Sequence, residues 1–415
     1  MRKYFAEACR ILDRIFSEGT YSDRAFGASS ADMTERLVLG VLEQNVKIEY
    51  ILGGLIVKQP QKFIYVLLKT GVYALLNLDN VPDYAIVSEC VETAKEAGKT
   101  GAAGFVNAVL KKVARREFVL PDKNSPDYLS VTYSKPKWFV DRLIAEYGES
   151  RAMQVLENPV SECVHARVNN RLTTAEAVKG ILSAQAIDFR QSAVGGLILR
   201  PDNNIVKSLF SEGVLTYQSP SSVLAVQALA PRDGGEMLDL CSAPGGKAVY
   251  MAELCPHSVV TACDIHAHRV ELIRKYAGRM HVDNVCPVKA DASKFNPEWR
   301  GRFDYILLDA PCTCFGTFRR HPDVFLQRGE EEIGRLSVIQ KKMISTAAQY
   351  LKTGGKLLYS TCTLFAPENG EIADYAERAA GLVPETMPIP YSNNGRYQLL
   401  PLDEWDGFFM ARFTK

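Results

Sequence analysis

Apolar residues recur every three and four positions through the first third of the chain. Leu37, Val38, Val41 and Leu42 show the spacing, and Phe63, Val66 and Leu67 repeat it. That period is the signature of helices that each bury one face. Pro60 and Pro82 interrupt the pattern, and Asn77-Leu-Asp-Asn80 and Gly98-Lys-Thr-Gly101 read as turns. No strand alternation competes, so residues 1–135 are expected to form an all-α domain of five to seven helices. A polar link from Pro121 to Pro136 follows, then an amphipathic stretch around Trp138-Phe-Val-Asp-Arg-Leu-Ile144. His165–Asn169 and Leu197–Arg200 read as short strands flanking a helix that starts near Thr173, which makes residues 136–216 a small α+β connecting domain.

From residue 217 the pattern changes again. Strand-length apolar runs occur at 236–240, 259–264, 285–289, 305–309 and 356–360, with helical periods between most of them, including 269–280 and 333–351. This alternation predicts an α/β, doubly wound parallel sheet over residues 217–415, with its ligand site outside the carboxyl ends of the strands. Residues 397–400 and 407–413 are expected to add antiparallel edge strands.

Composition narrows the class. Apolar residues make up 47% and charged residues 23% of the 415, and the net charge is +1. These are values of an ordinary globular chain with no global pull toward a polyanion. No run of membrane-spanning length occurs, and the start of the chain lacks the apolar core of a secretory signal. The 10 cysteines show no Cys-x-x-Cys pair, and the 6 histidines complete no zinc signature, so a reducing cytoplasm and no metal are expected. Lys111, Lys112, Arg115 and Arg116 form a basic helix face opposite Phe105, Val106, Val109, Leu110 and Val113. That face reads as solvated or as an RNA contact.

The chemistry-bearing residues stand at strand ends. Cys241-Ser-Ala-Pro-Gly-Gly-Lys247 is a glycine turn between a strand and a helix, suited to close approach by a ligand. It is neither Gly-x-Gly-x-x-Gly nor a phosphate-binding Gly-x-x-x-x-Gly-Lys loop. Asp264, Asp291 and Asp309 follow successive strands, where carboxylates accept ribose hydroxyls or an exocyclic amine. Cys312, three residues after Asp309, and Cys362, after the run at 356–360, stand at strand ends beside polar neighbours, with Arg319, Arg320 and His321 nearby in sequence, a setting that favours thiolate. Cys241, Cys255, Cys263 and Cys286 read as packing residues.

Asp309-Ala-Pro-Cys312, Ser360-Thr-Cys-Thr363 and the 241–247 turn together resemble the RNA cytosine-5 methyltransferases of the RsmB/Nop2/Sun family. Arg319-Arg-His-Pro-Asp323 and Asp406-Gly-Phe-Phe409 add to the likeness. Gly104-Phe-Val-Asn-Ala-Val-Leu110 resembles the NusB-like RNA-binding domain that precedes this core in bacterial members. The resemblance implies a multidomain protein of three parts: a NusB-like helical domain, the connecting domain and a Rossmann-like domain that binds S-adenosylmethionine. It implies RNA as partner, 16S ribosomal RNA in particular, and no membrane; a monomer is the default expectation. It makes Cys362 the nucleophile and Cys312 the thiol that assists release, with Asp309 and Lys247 beside the base. Cys241, Ser242, Ala243, Pro244, Gly245, Gly246, Lys247, Asp264, Arg269, Asp291 and Asp309 would hold the cofactor. Cys314 departs from the family, which has small residues after the Pro-Cys pair, and has no role in this scheme.

Other functions fit less of the chain. A DNA cytosine-5 methyltransferase would use Cys312 as nucleophile and leave Cys362 unexplained. Action on tRNA would retain the same core. An RNA-binding assembly factor without catalysis would not need both thiols, and a small-molecule methyltransferase would not need the helical front.

Overall fold

The structure, a computed structural model, describes residues 2–26, 32–159, 162–390, 392 and 394–415. It divides into two compact units, one of residues 1–157 with 318–330, the other of residues 158–317 with 331–415.

In the first unit the helical period becomes Arg2–Glu18, Asp32–Glu43, Asn45–Leu55, Lys62–Asn77, Asp83–Glu96 and Ala103–Ala114. Their apolar stripes close on one core, in which Phe5, Leu12, Leu37, Leu67, Ile86 and Leu110 are fully buried. Lys69 is buried too. Asn45 Oδ1 at 2.8 Å and Glu49 Oε1 at 2.6 Å accept from its ammonium, which stands 4.2 Å above the Phe16 ring. Helix Ala103–Ala114 buries Val106, Val109, Leu110 and Val113 and exposes Lys111 and Lys112; Arg115 and Arg116, expected on the same helix face, are exposed but lie beyond its end, where Arg116 turns left-handed with φ of 57°. Phe105, expected on its buried face, is instead exposed, because it lies one step off that stripe.

Helices Lys137–Tyr147 and Glu149–Glu157 belong to this unit, whereas the sequence pattern opened a connecting domain at residue 136. The reason is non-local. Phe139 is fully buried, with its ring 5.3 Å from that of Phe318 and 4.8 Å from that of Phe325. The partner therefore comes from the 318–330 segment, far along the chain. Arg319, Arg320 and His321 lie on that segment, and Asp323 accepts the Ser22 amide at 2.8 Å.

The second unit opens with a small antiparallel sheet. Its strands are β1 (Val164–Val168), β2 (Phe189–Gln191), β3 (Leu197–Leu199) and β4 (Leu215–Tyr217), in the order β2-β3-β1-β4. Thr174 caps helix Ala175–Ala184 by accepting the Ala177 amide, which sets where the helix starts. Val178 and Leu182 from that helix, with Val206 and Leu209 from Asn204–Ser211, pack on the sheet. β2, β4 and the second helix carry no clear signal in the sequence, since three-residue strands are too short for a period to show.

The large sheet contains β5 (Glu236–Asp239), β6 (Val259–Asp264), β7 (Val285–Lys289), β8 (Phe303–Asp309), β9 (Leu351–Thr361), β10 (Val383–Pro384), β11 (Arg396–Leu399) and β12 (Phe408–Thr414). Its order is β10-β12-β9-β8-β5-β6-β7, with β11 also paired to β12. Strands β5 to β9 run parallel, as expected of a Rossmann-like sheet. The order reverses at β5, which has β6 on one side and β8 on the other, so the crevice opens outside the ends of these strands. Helices cover both faces: Met251 and Ile273 pack on one, Ile344 and Ile372 on the other.

One strand corrects the sequence reading. Phe408–Thr414, expected at an edge, is internal, antiparallel to β9 on one side and to β10 and β11 on the other. Residues 408–413 are buried without interruption, the pattern of a strand covered on both faces. Arg412 sits inside by donating to Ala228 O at 3.0 Å and Glu385 Oε2 at 2.9 Å.

Candidate active site

Strand β5 leads through Leu240 into the glycine turn. Leu240 N–H donates to Leu307 O at 3.0 Å and Ser242 N–H to Cys263 O at 2.7 Å, which stitches the turn to β8 and β6. The Ala243–Pro244 peptide is cis, and Gly245 has φ of 117° in the left-handed region. A Cβ at Gly245 would meet Ile273 Cα at 3.3 Å, so the position suits glycine on both counts. Helix Gly246–Leu254 starts immediately after it.

A cleft of about 260 Å³ lies beyond the strand ends, lined by Cys241, Ala243, Asp264, Arg269, Asp291, Asp309, Cys312 and Cys362 together with apolar Leu240, Ile265, Ala292 and Met343. An adjoining cleft of about 240 Å³ shares Cys241, Ala243 and Asp309 and adds Asp239, Ser242, Pro244, Gly246 and Lys247. Gly245 lines neither and shapes the turn from behind. A wider cleft of about 500 Å³ opens beside the small sheet, but none of the expected site residues lines it. Another of about 620 Å³, lined by Lys123, Tyr133 and Glu157, is larger still and also lacks them; converging carboxylates and thiols single out the strand ends.

Each carboxylate has a defined setting. Asp264 Oδ1 accepts the His266 amide at 3.0 Å, and Arg269 Nη1 lies 3.1 Å from Oδ2. Arg269 Nη2 also donates to Ala243 O at 3.1 Å, so this side chain ties β6 to the glycine turn. Asp291 Oδ1 accepts from Ser293 Oγ at 2.6 Å and Ser293 N–H at 3.0 Å. The Ser293 hydroxyl leads the interactions that hold the Asp291 carboxyl below its ordinary pKa. Asp239, buried at the end of β5, is pushed up to about 7, first by burial and then by the charge of Asp309.

At the other end, Lys247 Nζ donates to Asp309 Oδ2 at 2.6 Å, and Ser360 Oγ donates to Asp309 Oδ1 at 2.7 Å. Burial disfavours the Lys247 ammonium, but the Asp309 charge and hydrogen bond outweigh it and raise the pKa. The Cys312 and Cys362 Sγ atoms are 3.3 Å apart, and Cys314 Sγ is 3.9 Å from Cys312 Sγ. Cys312 is raised well above the ordinary thiol value by hydrogen bonds to Cys314 and Cys362 and then by burial. For Cys362 the Cys312 hydrogen bond favours thiolate, yet Cys314 and burial prevail and the thiol is raised. The charges acting on Cys362 thus include the Asp309 carboxylate and the Lys247 ammonium, while Arg319, Arg320 and His321 belong to the first unit.

The other cysteines divide. Cys255 and Cys263 are buried as expected. Cys286 corrects the reading: it is exposed, since its position on strand β7 turns outward at the end of the sheet. Cys241 is half-buried and lines both clefts.

Several site-building residues escaped the sequence. Buried Glu368 accepts Thr313 N–H at 2.9 Å, Thr313 Oγ1 at 2.6 Å and Gln340 Nε2 at 3.1 Å, which pins the loop between Cys312 and Cys314. The Thr313 and Thr363 hydroxyls meet at 2.6 Å, so the residues after the two cysteines join the two loops. Their paired Cys-Thr steps were the available signal. Gly316 N–H donates to Cys362 O at 3.0 Å, and Gly407 N–H to Gly316 O at 2.8 Å. This gives the Asp406-Gly-Phe-Phe409 stretch a structural purpose, because Gly407 backs the loop that holds Cys362.

A doubly wound sheet with a glycine turn, strand-end carboxylates and an adenosine-sized cleft defines a methyltransferase of the Rossmann-like kind. A family model described as 16S rRNA methyltransferase RsmB/F matches residues 226–414, and one for the NusB family matches residues 7–115. The probable ribosomal RNA small subunit methyltransferase B of Bacillus subtilis (strain 168) is 31% identical over 98% of this chain and 94% of its own. That of Photorhabdus laumondii is 30% identical over 92% and 90%. Among solved structures, PH0851 superposes with a TM-score of 0.82 at 25% identity, covering 99% of both chains. NSun6 from Pyrococcus horikoshii, solved with SFG, shares the fold at a TM-score of 0.60 and 22% identity over 68% of this chain and 98% of its own. The chain belongs to the RsmB/F family of S-adenosylmethionine-dependent 16S rRNA methyltransferases, preceded by a NusB-family domain. Among the described residues no helix is long and apolar enough to cross a membrane.

Proposed function

We propose that this protein methylates carbon 5 of a cytosine in 16S ribosomal RNA through a covalent adduct between Cys362 and carbon 6, acting as a cytoplasmic monomer. The observation that carries the proposal is the pair of thiols 3.3 Å apart beside the Lys247–Asp309 ion pair. A methyltransferase acting on a nucleophilic oxygen or nitrogen has no use for two thiols there. In this reading the helical front engages RNA, the small sheet within residues 158–216 connects, and 217–415 carry out the reaction.

The cleft suits S-adenosylmethionine by its donor set: carboxylates at Asp264, Asp291 and Asp309, Arg269 as a basic lining residue, and apolar Ile265 and Met343. When bound, the cofactor supplies an electrophilic methyl group. Asp264 accepts the ribose hydroxyls, held in place by Arg269, and Asp291 accepts the adenine amine. The turn from Cys241 through Gly246 provides the backbone wall, with Lys247 following it.

Carbon 5 of cytosine is a weak nucleophile until a thiolate adds to carbon 6. Cys362 makes that bond. Cys312 donates a hydrogen bond that stabilises its thiolate, and the Lys247 ammonium adds favourable potential. Asp309, fixed by Lys247 and Ser360, receives the cytosine amine as charge shifts into the ring. After methyl transfer and loss of the carbon-5 proton, Cys312 assists departure of the Cys362 sulfur. A base within a duplex cannot reach this cleft, so the target is unstacked.

Cys362→Ala is expected to abolish methyl transfer while retaining cofactor binding. Cys312→Ala is expected to accumulate protein covalently joined to RNA, seen as a retarded band on a denaturing gel. A trapped species with Cys362→Ala instead would reverse the roles. Bisulfite mapping of 16S RNA from cells lacking the gene tests the substrate, and an unchanged 5-methylcytosine pattern rejects it.

A further inference from the structure

The catalytic scheme employs two thiols, yet three are gathered. The Sγ atoms of Cys312, Cys314 and Cys362 all lie within 4.8 Å of one another, the one such cluster of metal-ligating side chains among the described residues. Cys314 adopts φ of 62°, a left-handed conformation uncommon for a residue with a side chain. That turn keeps its sulfur beside Cys312. We propose that the three thiols form a binding site for a thiophilic d¹⁰ cation such as Zn²⁺, and that occupancy switches the enzyme off.

The geometry matches the coordination chemistry. Zinc–sulfur bonds are about 2.3 Å, so sulfurs at the corners of a tetrahedron stand about 3.8 Å apart. The separations of 3.3 Å and 3.9 Å bracket that value. Three soft sulfur ligands select Zn²⁺ or Cu⁺ over Mg²⁺ or Ca²⁺, which require oxygen. The cleft in front of the cluster leaves a fourth position for water. As the metal binds, three S–H bonds ionise, three S–metal bonds form and up to three protons pass to solvent, so affinity rises with pH. Three thiolates around a divalent ion leave one negative charge, next to the Lys247 ammonium that already interacts with Cys362.

Loss of activity on binding rests on the proposed function, because the metal would occupy the sulfur that attacks the base. Binding itself rests on geometry alone. The two are therefore tested separately, on the full-length chain carrying Cys286→Ala to remove an exposed thiol. After chelator treatment, Zn²⁺ is titrated against a chromophoric competitor, and Co²⁺ is added in parallel. We expect one Zn²⁺ per chain, proton release, and thiolate-to-cobalt charge-transfer absorption. Cys314→Ser should weaken binding tenfold or more and diminish the absorption, with Cys362→Ser as a second variant on the opposite loop. Methyl transfer, normalised to each variant's rate in chelator, should require at least tenfold more Zn²⁺ for inhibition in Cys314→Ser. Unaltered Zn²⁺ affinity in Cys314→Ser, or cobalt spectra without thiolate bands, overturns the site. Cys314-dependent binding in a protein that transfers no methyl group to any RNA keeps the site and rejects the catalytic reading.

Discussion

Lys247 Nζ stands 2.6 Å from Asp309 Oδ2, and this contact joins the helix after the glycine turn to the end of strand β8. The Lys247 and Asp309 side chains are 15% and 27% exposed, so the pair is shielded but not dry. Removing the cation strands a carboxylate near a second one, Asp239. Lys247→Met is therefore expected to lower stability by about 2 kcal/mol, below the cost of breaking a fully buried pair because solvent screens it. It should also lower kcat/KM at least about tenfold, since Asp309 loses its fixed position. Chemical denaturation and single-turnover methyl transfer measure the two effects.

Asp239 supplies a pH signature. Its carboxyl is raised from 3.8 to about 7, so the folded state holds a proton that the unfolded chain has released. Stability must then fall as pH rises from about 4 to about 7 and level off above. Asp239→Asn removes this dependence. At pH 8 it should be more stable than the wild type by on the order of a few kcal/mol, with the advantage gone near pH 4. Urea titrations at four pH values decide it, and a constant difference across the range rejects the assignment.

Cys314 acts on the nucleophile from the side. Its hydrogen bond and charge help to raise the Cys362 thiol. In the presence of chelator, wild-type kcat/KM should climb with pH on the alkaline side of the ordinary thiol range, following the thiolate fraction of the free enzyme. In Cys314→Ser the rising limb should move to lower pH. A limb at the same position would show that Cys314 does not tune the nucleophile.

The loop that follows Cys314 and packs against Cys362 has no room for a methyl group at one point. A Cβ on Gly316 would lie 2.0 Å from Gly407 O and 2.9 Å from Cys362 O. Gly316→Ala should cost about 2 kcal/mol or more, in the range of overpacking substitutions, and slow adduct formation by displacing Cys362. Thermal melts and the denaturing-gel adduct assay report on each.

Arg167 and Glu253 form an ion pair with side chains 5% and 3% exposed, and the guanidinium lies 4.3 Å from the Tyr250 ring centroid. Arg167→Leu leaves the carboxylate buried without its partner and should destabilise by about 3–5 kcal/mol. The double variant Arg167→Leu with Glu253→Leu should recover part of the loss, which a double-mutant cycle quantifies.

Much of the architecture was legible in the chain. The strands at 236–240, 259–264, 285–289, 305–309 and 356–360 occur where runs of strand length end at, or within two residues of, an Asp, Ser or Cys. Buried parallel strands carry a strong local signal, and polar residues at their ends mark the crevice. Phe408–Thr414 was placed at an edge because its length looks the same in either position; the neighbours that bury it are strands from 356–361 and 396–399. Of the site, the cysteines and carboxylates were readable as motifs, whereas Glu368 and Gly316 were not. Glu368 serves Thr313, 55 positions away, and nothing local marks a glutamate for such a partner.

The sequence by itself determined the order of elements, the helical front, the parallel sheet and which residues stand at its strand ends. Those features follow from periodicity and turn chemistry, which act over a few residues. Only the tertiary structure decided how far apart those residues finally lie. Sheet order brings β8 beside β9, so Cys312 and Cys362, 50 positions apart, come to 3.3 Å. The same folding sets Cys314 against them. Distances between loops depend on strand pairing and on buried polar anchors, and a linear chain does not display either.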